Sequence, residues 1–217
     1  DEIDAFPFKD NRLLINLFKK AVKGSYILMS ATPPKDIVTD FKNNHLPILA
    51  LHTRYHRHPL PEPINVIRIG YLKILYLIKM IKRYQKFKKP VLVFAPTIAE
   101  AEEVFCLLKI FLKRGNFVHS KCLNRKEIIT DFKKHKYDYL LTTSVLERGV
   151  TIKDVQVIIY HADDSMYQSG VLIQIAGRVG RKIDAPTGDV IFLANKVTSS
   201  MKEAINAIKL DNTYLTR

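Results

Sequence analysis

Residues 90–119, PVLVFAPTIAEAEEVFCLLKIFLKRGNFVH, hold the pattern that decides the fold. Residues 90–94 are a short apolar run that reads as a buried strand. Residues 97–113 read as a helix, with Thr97 as the N-cap and Glu100 three residues later, the spacing of a capping box. Residues 116–119 read as the next strand. The alternation continues on both sides. Upstream come a strand at 66–69 and a long helix at 71–87 with a basic C-terminal end. Downstream come a helix at 125–135, strands at 137–142 and 155–160, a helix at 167–176, a strand at 189–193 and a helix at 199–210. Strands separated by helices specify an α/β fold, a mostly parallel sheet covered on both faces. In such sheets ligands gather at the loops that follow the carboxyl ends of the strands.

The N-terminal part is less regular. Residues 10–23 form an amphipathic pattern with Leu13, Leu14, Leu17, Phe18 and Ala21 on one face. Residues 25–29 are expected as a buried strand ending in Ser30-Ala31-Thr32-Pro33-Pro34. A short helix to residue 41 and a further strand at 47–51 follow. Residues 52–63 are rich in Pro, His and Arg without periodicity and read as a linker.

Composition narrows the function classes. Of the 217 residues, 47% are hydrophobic, enough for a buried core and too many for a disordered chain. The formal net charge is +14, which suits a polyanionic partner and suits a lysine-rich soluble protein equally well. Cys106 and Cys122 are the only cysteines and form no C-x-x-C pair. A reducing compartment is therefore expected, and a cysteine zinc site is excluded. No apolar run reaches membrane-spanning length and no signal peptide opens the sequence. The abrupt acidic start without Met reads as a fragment boundary.

Four short constellations carry chemistry. Asp1-Glu2-Ile3-Asp4 offers an acidic pair of the kind that holds magnesium and polarises an attacking water in nucleotide triphosphatases. Ser30-Ala31-Thr32 follows an expected strand and offers small hydroxyls. Residues 142–150 place Thr142, Thr143 and Ser144 at a strand end, a phosphate cradle of hydroxyls and backbone N–H groups, with Gly149 permitting a tight turn. Gln174-Ile175-Ala176-Gly177-Arg178-Val179-Gly180-Arg181 places two arginines three apart at a helix end. The planar, permanently charged guanidinium suits a transferring phosphoryl group. Each of the first three also fits an ordinary turn or helix start. The fourth string is far more specific.

In this order and spacing the four resemble motifs II, III, V and VI of superfamily 2 helicases, and Val93-Phe94-Ala95-Pro96-Thr97 resembles motif IV. Residues 1–8 and 146–151 further resemble the late-competence DNA-uptake ATPases of Gram-positive bacteria (ComFA). The resemblance implies RecA-like domains. Residues 1–51 would be the C-terminal remnant of the first, ATP-binding domain, residues 52–64 a linker, and residues 65–217 the second domain. It implies ATP and Mg2+ as cofactors, single-stranded DNA and uptake-channel proteins as partners, and a cytoplasmic place at the inner face of the membrane. By position, Asp1 would bind magnesium and Glu2 would activate water. Asp4, Gly149 and Gln174 would contact the nucleotide, and Arg178 and Arg181 would act as arginine fingers. Ser30 and Thr32 would couple the ATP site to the other domain, and Thr97, Thr142 and Thr143 would lie along the DNA backbone. Motif V departs from the superfamily pattern, because Val150-Thr151 stands where Asp is frequent.

One part of such a motor is missing from these residues. The residues after the eight glycines are Ser25, Tyr71, Asn116, Val150, Val171, Arg178, Arg181 and Asp189, and none opens the Lys-Ser/Thr of a Walker A loop. The chain alone is therefore expected to be inactive. Alternatives stay open: another superfamily 2 helicase acting in replication restart or on RNA, or a RecA-like module that binds without catalysis. Among other features, His52, His56 and His58 are interleaved with Arg54 and Arg57, which argues for phosphate contact or solvation over a metal site. Lys82, Arg83, Lys86, Lys88 and Lys89, and again Lys133, Lys134 and Lys136, form basic clusters. These fit either a DNA track or the dipole at a helix C-terminus. Tyr84 and Phe87 read as base-stacking or core aromatics.

Overall fold

Six short strands carry the fold: β1 (Ile64–Ile67), β2 (Val91–Phe94), β3 (Gly115–Val118), β4 (Tyr139–Thr142), β5 (Gln156–Tyr160) and β6 (Val190–Ala194). They form one sheet in the order β1-β6-β5-β2-β4-β3, and every pairing is parallel. The computed structural model describes residue 8, residues 11–143 and residues 151–215. Between the strands run α3 (Tyr71–Lys86), α4 (Ile98–Phe111), α5 (Arg125–Lys133) and α6 (Ser169–Ala176); α7 (Ser199–Thr213) follows the last strand, and α1 (Arg12–Ala21) and α2 (Lys35–Asn43) precede the first in sequence. The chain divides into two units, residues 1–51 and 52–217.

The second unit follows from the period-two alternation of its strands. In β2, Val91 and Val93 face Leu77, Ile81 and Tyr84 of α3 and Ala101, Val104 and Leu108 of α4. Leu92 and Phe94 face Phe132 of α5, Leu172 and Ile175 of α6 and Met201 and Ala204 of α7. The inner strands β2, β4, β5 and β6 are buried along their whole length, as a sheet covered on both faces requires. This is the expected RecA-like α/β sheet. The helix at 97–113 begins as its capping signature indicates, with the Thr97 side chain accepting from the Glu100 N–H at 3.2 Å.

In the first unit, α1 is capped by Asn11, whose Oδ1 accepts from the Leu14 N–H at 3.1 Å. Phe18 meets the ring of Tyr26 edge-on at 5.2 Å. The strands expected at 25–29 and 47–51 do not form. A strand exists through its ladder, and no described residue of this unit supplies one, so Ile27, Leu49 and Leu51 stay 83%, 86% and 84% exposed. Residues 52–63, read as a linker, fall within the second unit and are tied to its last helix. The ring of His52 stacks on Tyr214 at 4.2 Å, and Leu60 exchanges two hydrogen bonds with the Asn212 side chain. Tyr84 is a core residue, 3% exposed, and its hydroxyl donates to Asp189 Oδ2 at 2.7 Å, so it cannot stack a base. Phe87 remains 67% exposed.

Candidate functional site

Because all six strands point the same way, the sheet has two chemically distinct ends. At the carboxyl end, Phe94 of β2 stands beside Thr142 of β4, and the Ala95 N–H donates to the Thr142 carbonyl at 2.9 Å. Thr97 and the Thr142-Thr143 pair are thus brought to one end on adjacent strands. Thr97 is exposed and serves as a helix cap. Thr142 and Thr143 are buried, and the Thr142 hydroxyl donates to the Thr143 carbonyl at 3.2 Å.

Beside them lies a polar network that the sequence reading missed. Lys73 of α3 is 4% exposed, and its Nζ donates to Asn195 Oδ1 at 2.9 Å and sits 5.6 Å from the centre of the Tyr160 ring. Asn195 Nδ2 donates to Asp163 Oδ2 at 3.2 Å, and His161 pairs with Glu100. Burial lowers the Lys73 pKa, while the carboxylates of Asp163 and Glu100 pull the other way. A signal for it does exist in sequence: Lys73 stands at helical spacing with Leu77, Met80 and Tyr84, on the stripe that faces the sheet.

The arginine string lies at the opposite end of the sheet. Helix α6 returns from the carboxyl end of β5, so its last turn and residues 177–181 reach the amino ends of β5 and β6. Gln174 lies on α6 and Gly177 caps it. Val179 is fully buried and anchors the segment in the core, which leaves Arg178 and Arg181 half-buried on either side. Gly180 adopts φ +68°, and a Cβ there would meet the Pro186 carbonyl oxygen at 2.2 Å. Only glycine fits this turn. Arg181 Nε donates back to the Gly177 carbonyl at 3.1 Å.

A second missed residue closes this end. Arg54 Nη1 donates to the carbonyls of Val179 at 2.7 Å and Gly180 at 2.8 Å, and Nη2 donates to that of Gly177 at 2.9 Å. His56 Nε2 lies 3.1 Å from the Gly180 carbonyl oxygen. Burial, and after it the positive charge of Arg181, lowers the Arg54 pKa from its ordinary value. The guanidinium is committed to backbone carbonyls, so the expected phosphate contact or free solvation does not apply to Arg54.

In the first unit, Ser30 Oγ accepts from the Thr32 N–H at 3.0 Å, which fixes the turn that carries both hydroxyls. Asp1, Glu2, Asp4 and Gly149 lie outside the described residues. The donor set that is described, two arginines on a glycine-framed helix end, fits a polyphosphate by charge and fork geometry. Among the described residues no helix is long and apolar enough to cross a membrane.

Known proteins resemble the chain in sequence and in fold. Competence protein ComFA of Bacillus subtilis (strain 168) is 36% identical over 218 residues, covering 96% of this chain and 47% of that protein. ComFA of Streptococcus pneumoniae (strain ATCC BAA-255 / R6) is 34% identical over 223 residues, covering 98% of this chain and 52% of that protein. The chain therefore spans about half the length of these curated relatives. Among solved structures, Saccharomyces cerevisiae Dbp5 bound to RNA and ADP BeF3 aligns with a TM-score of 0.66 at 19% identity, over 97% of this chain and 54% of that one, and this likeness supports the RecA-like fold. The profile of the helicase conserved C-terminal domain matches residues 72–182, slightly more than half of the chain and the segment that ends on the arginine string. By that match the chain belongs to the helicase conserved C-terminal domain family.

Proposed function

We propose that this chain is part of an ATP-driven translocase for single-stranded DNA that works in DNA uptake, and that it does not turn over ATP alone. The observation that carries the reading is the likeness to two ComFA proteins over nearly all of this chain, with the arginine string held at a preformed helix end. Residues 1–51 are the end of the first motor domain and residues 65–217 the second. ATP with Mg2+ would supply the phosphoryl group whose transfer drives motion, and Asp1 and Asp4 would hold the metal and nucleotide. Glu2 orients and deprotonates the attacking water. Gln174 and Gly149 contact the nucleotide. Arg178 and Arg181 neutralise charge that grows on the transferring group, an effect typically worth 10³–10⁵ in rate for an arginine finger. Ser30 and Thr32 relay the nucleotide state. Thr97, Thr142 and Thr143 lie along the DNA backbone, where Thr142 and Thr143 act through their backbone groups because their side chains are buried. The protein works in the cytoplasm, at the inner face of the membrane beside the uptake channel.

The test is ATP turnover by the full-length protein and by the 217-residue chain, each with single-stranded DNA, duplex DNA or RNA. The full-length protein is expected to be stimulated most by single-stranded DNA, and Glu2→Gln or Arg181→Ala is expected to remove turnover by about 10³-fold. The chain alone is expected to be silent. Turnover by the chain that Glu2→Gln abolishes, or equal stimulation by RNA, would overturn the corresponding part of the reading.

A further inference from the structure

We infer that Arg54 is a positioning residue for the arginine fingers: its guanidinium gathers the carbonyls of Gly177, Val179 and Gly180 and so fixes the backbone from which Arg178 and Arg181 project. The inference rests on the phosphoryl-transfer role given to those two arginines. Three features of the geometry carry it. First, the acceptors bracket both fingers, since Gly177 and Val179 flank Arg178 and Gly180 precedes Arg181. Second, the bonds are short, 2.7 to 2.9 Å, and charge-assisted, which makes them stronger than ordinary backbone contacts. Third, the turn they hold is one that only glycine fits, with Gly180 at φ +68° and the Pro186 carbonyl oxygen 2.2 Å from where a Cβ would stand.

The arrangement also resolves an electrostatic difficulty. Arg178 and Arg181 are like charges three residues apart, and Arg54 brings a third positive charge to the same turn. The Arg54 guanidinium meets three carbonyl oxygens there, and a planar fork reaches several at once where an ammonium reaches fewer. Arg54 also belongs to residues 52–63, which are anchored at the same end of the sheet through His52 with Asp211 and Leu60 with Asn212. The N-terminal segment of the second unit thereby grips the turn that bears the fingers.

Two arms test the inference on Arg54→Ala and Arg54→Lys. In the first, amide hydrogen exchange of the 217-residue chain is followed by mass spectrometry. Peptides covering residues 174–188 are expected to exchange faster in both variants while peptides from β2 and β5 do not change. Unchanged exchange at 174–188 overturns the inference, and so does loss of the whole melting transition in both variants, which would assign Arg54 to stability alone. In the second arm, ATP turnover is measured in the full-length protein. Both variants are expected to lose on the order of 10–100-fold in kcat, the scale of a misplacement near 1 Å, with little change in KM or in DNA binding. Millimolar guanidinium is expected to restore part of the loss in Arg54→Ala and none in Arg54→Lys, whose side chain fills the cavity. Wild-type kcat in both variants overturns the inference. Absence of wild-type turnover would instead remove the ATPase reading, and the exchange arm would still decide whether Arg54 holds the turn.

Discussion

Lys73 shows what a single buried charge does to this molecule. Its ammonium is almost wholly removed from water and held by Asn195, with Asp163 and Glu100 as the nearest compensation. Burial is the larger influence, so the folded pKa lies below the ordinary lysine value. The sign of the linkage follows. Between the folded pKa and that ordinary value the unfolded chain binds more protons than the folded one, so stability rises with pH through that window. Below the window the penalty of a buried charge is fully present. Lys73→Met removes the titration, and the difference in denaturation midpoint between wild type and variant is expected to shift in favour of wild type from about pH 7 to about pH 10. A difference that stays constant with pH would show that Lys73 is solvated. Lys73 could have been recognised in advance, since it interrupts an apolar stripe. Arg54 could not, because its acceptors are backbone carbonyls 123 to 126 positions away and carbonyls leave no trace in a sequence.

Among the elements, what was legible depends on where each one finds its partners. Helix α4 declares its own start: Thr97 accepts from the Glu100 N–H, one of the donors a helix leaves open at its first turn. Thr97→Ala is expected to cost about 1 kcal/mol in denaturant titration, while Thr97→Ser keeps the cap and costs little. A loss in Thr97→Ser equal to that of alanine would mean that the methyl group, and not the hydroxyl, is what matters. Strands β2, β4, β5 and β6 were legible because burial on both faces forces continuous apolar runs. Residues 25–29 and 47–51 have the same composition and are not strands, because a ladder needs a neighbour and composition cannot report one. The arginine string was legible as a motif, yet its place at the amino end of the sheet was not. That place follows from the direction in which α6 crosses back, and only topology gives it.

Across the whole molecule the two ends of the sheet separate two kinds of positive charge. Lys82, Arg83 and Lys86 close α3 and Lys133, Lys134 and Lys136 close α5, so both basic clusters lie at the amino end, the end of the arginine string. Part of that charge is already neutralised, with Lys136 on Asp131 at 2.8 Å and Lys89 on Asp154 at 3.3 Å. Thr97 and Thr142 lie at the other end, where the loop after β3 carries the exposed Lys121 and α5 opens with the exposed Lys126. If DNA follows the threonines, the net charge of +14 is a poor guide to its path and the few lysines of the carboxyl end matter more. Counterion release makes this measurable, since each phosphate neutralised on a single strand adds about 0.7 to the slope of log affinity against log salt. The pair Lys121→Gln with Lys126→Gln is expected to lower that slope by about 1.4 for a single-stranded oligonucleotide. The triple change Lys82→Gln, Arg83→Gln and Lys86→Gln is expected to leave it unchanged. The reverse result would put the nucleic acid on the amino end, beside the arginine string, and the threonines of motifs IV and V would then be structural caps and core residues alone.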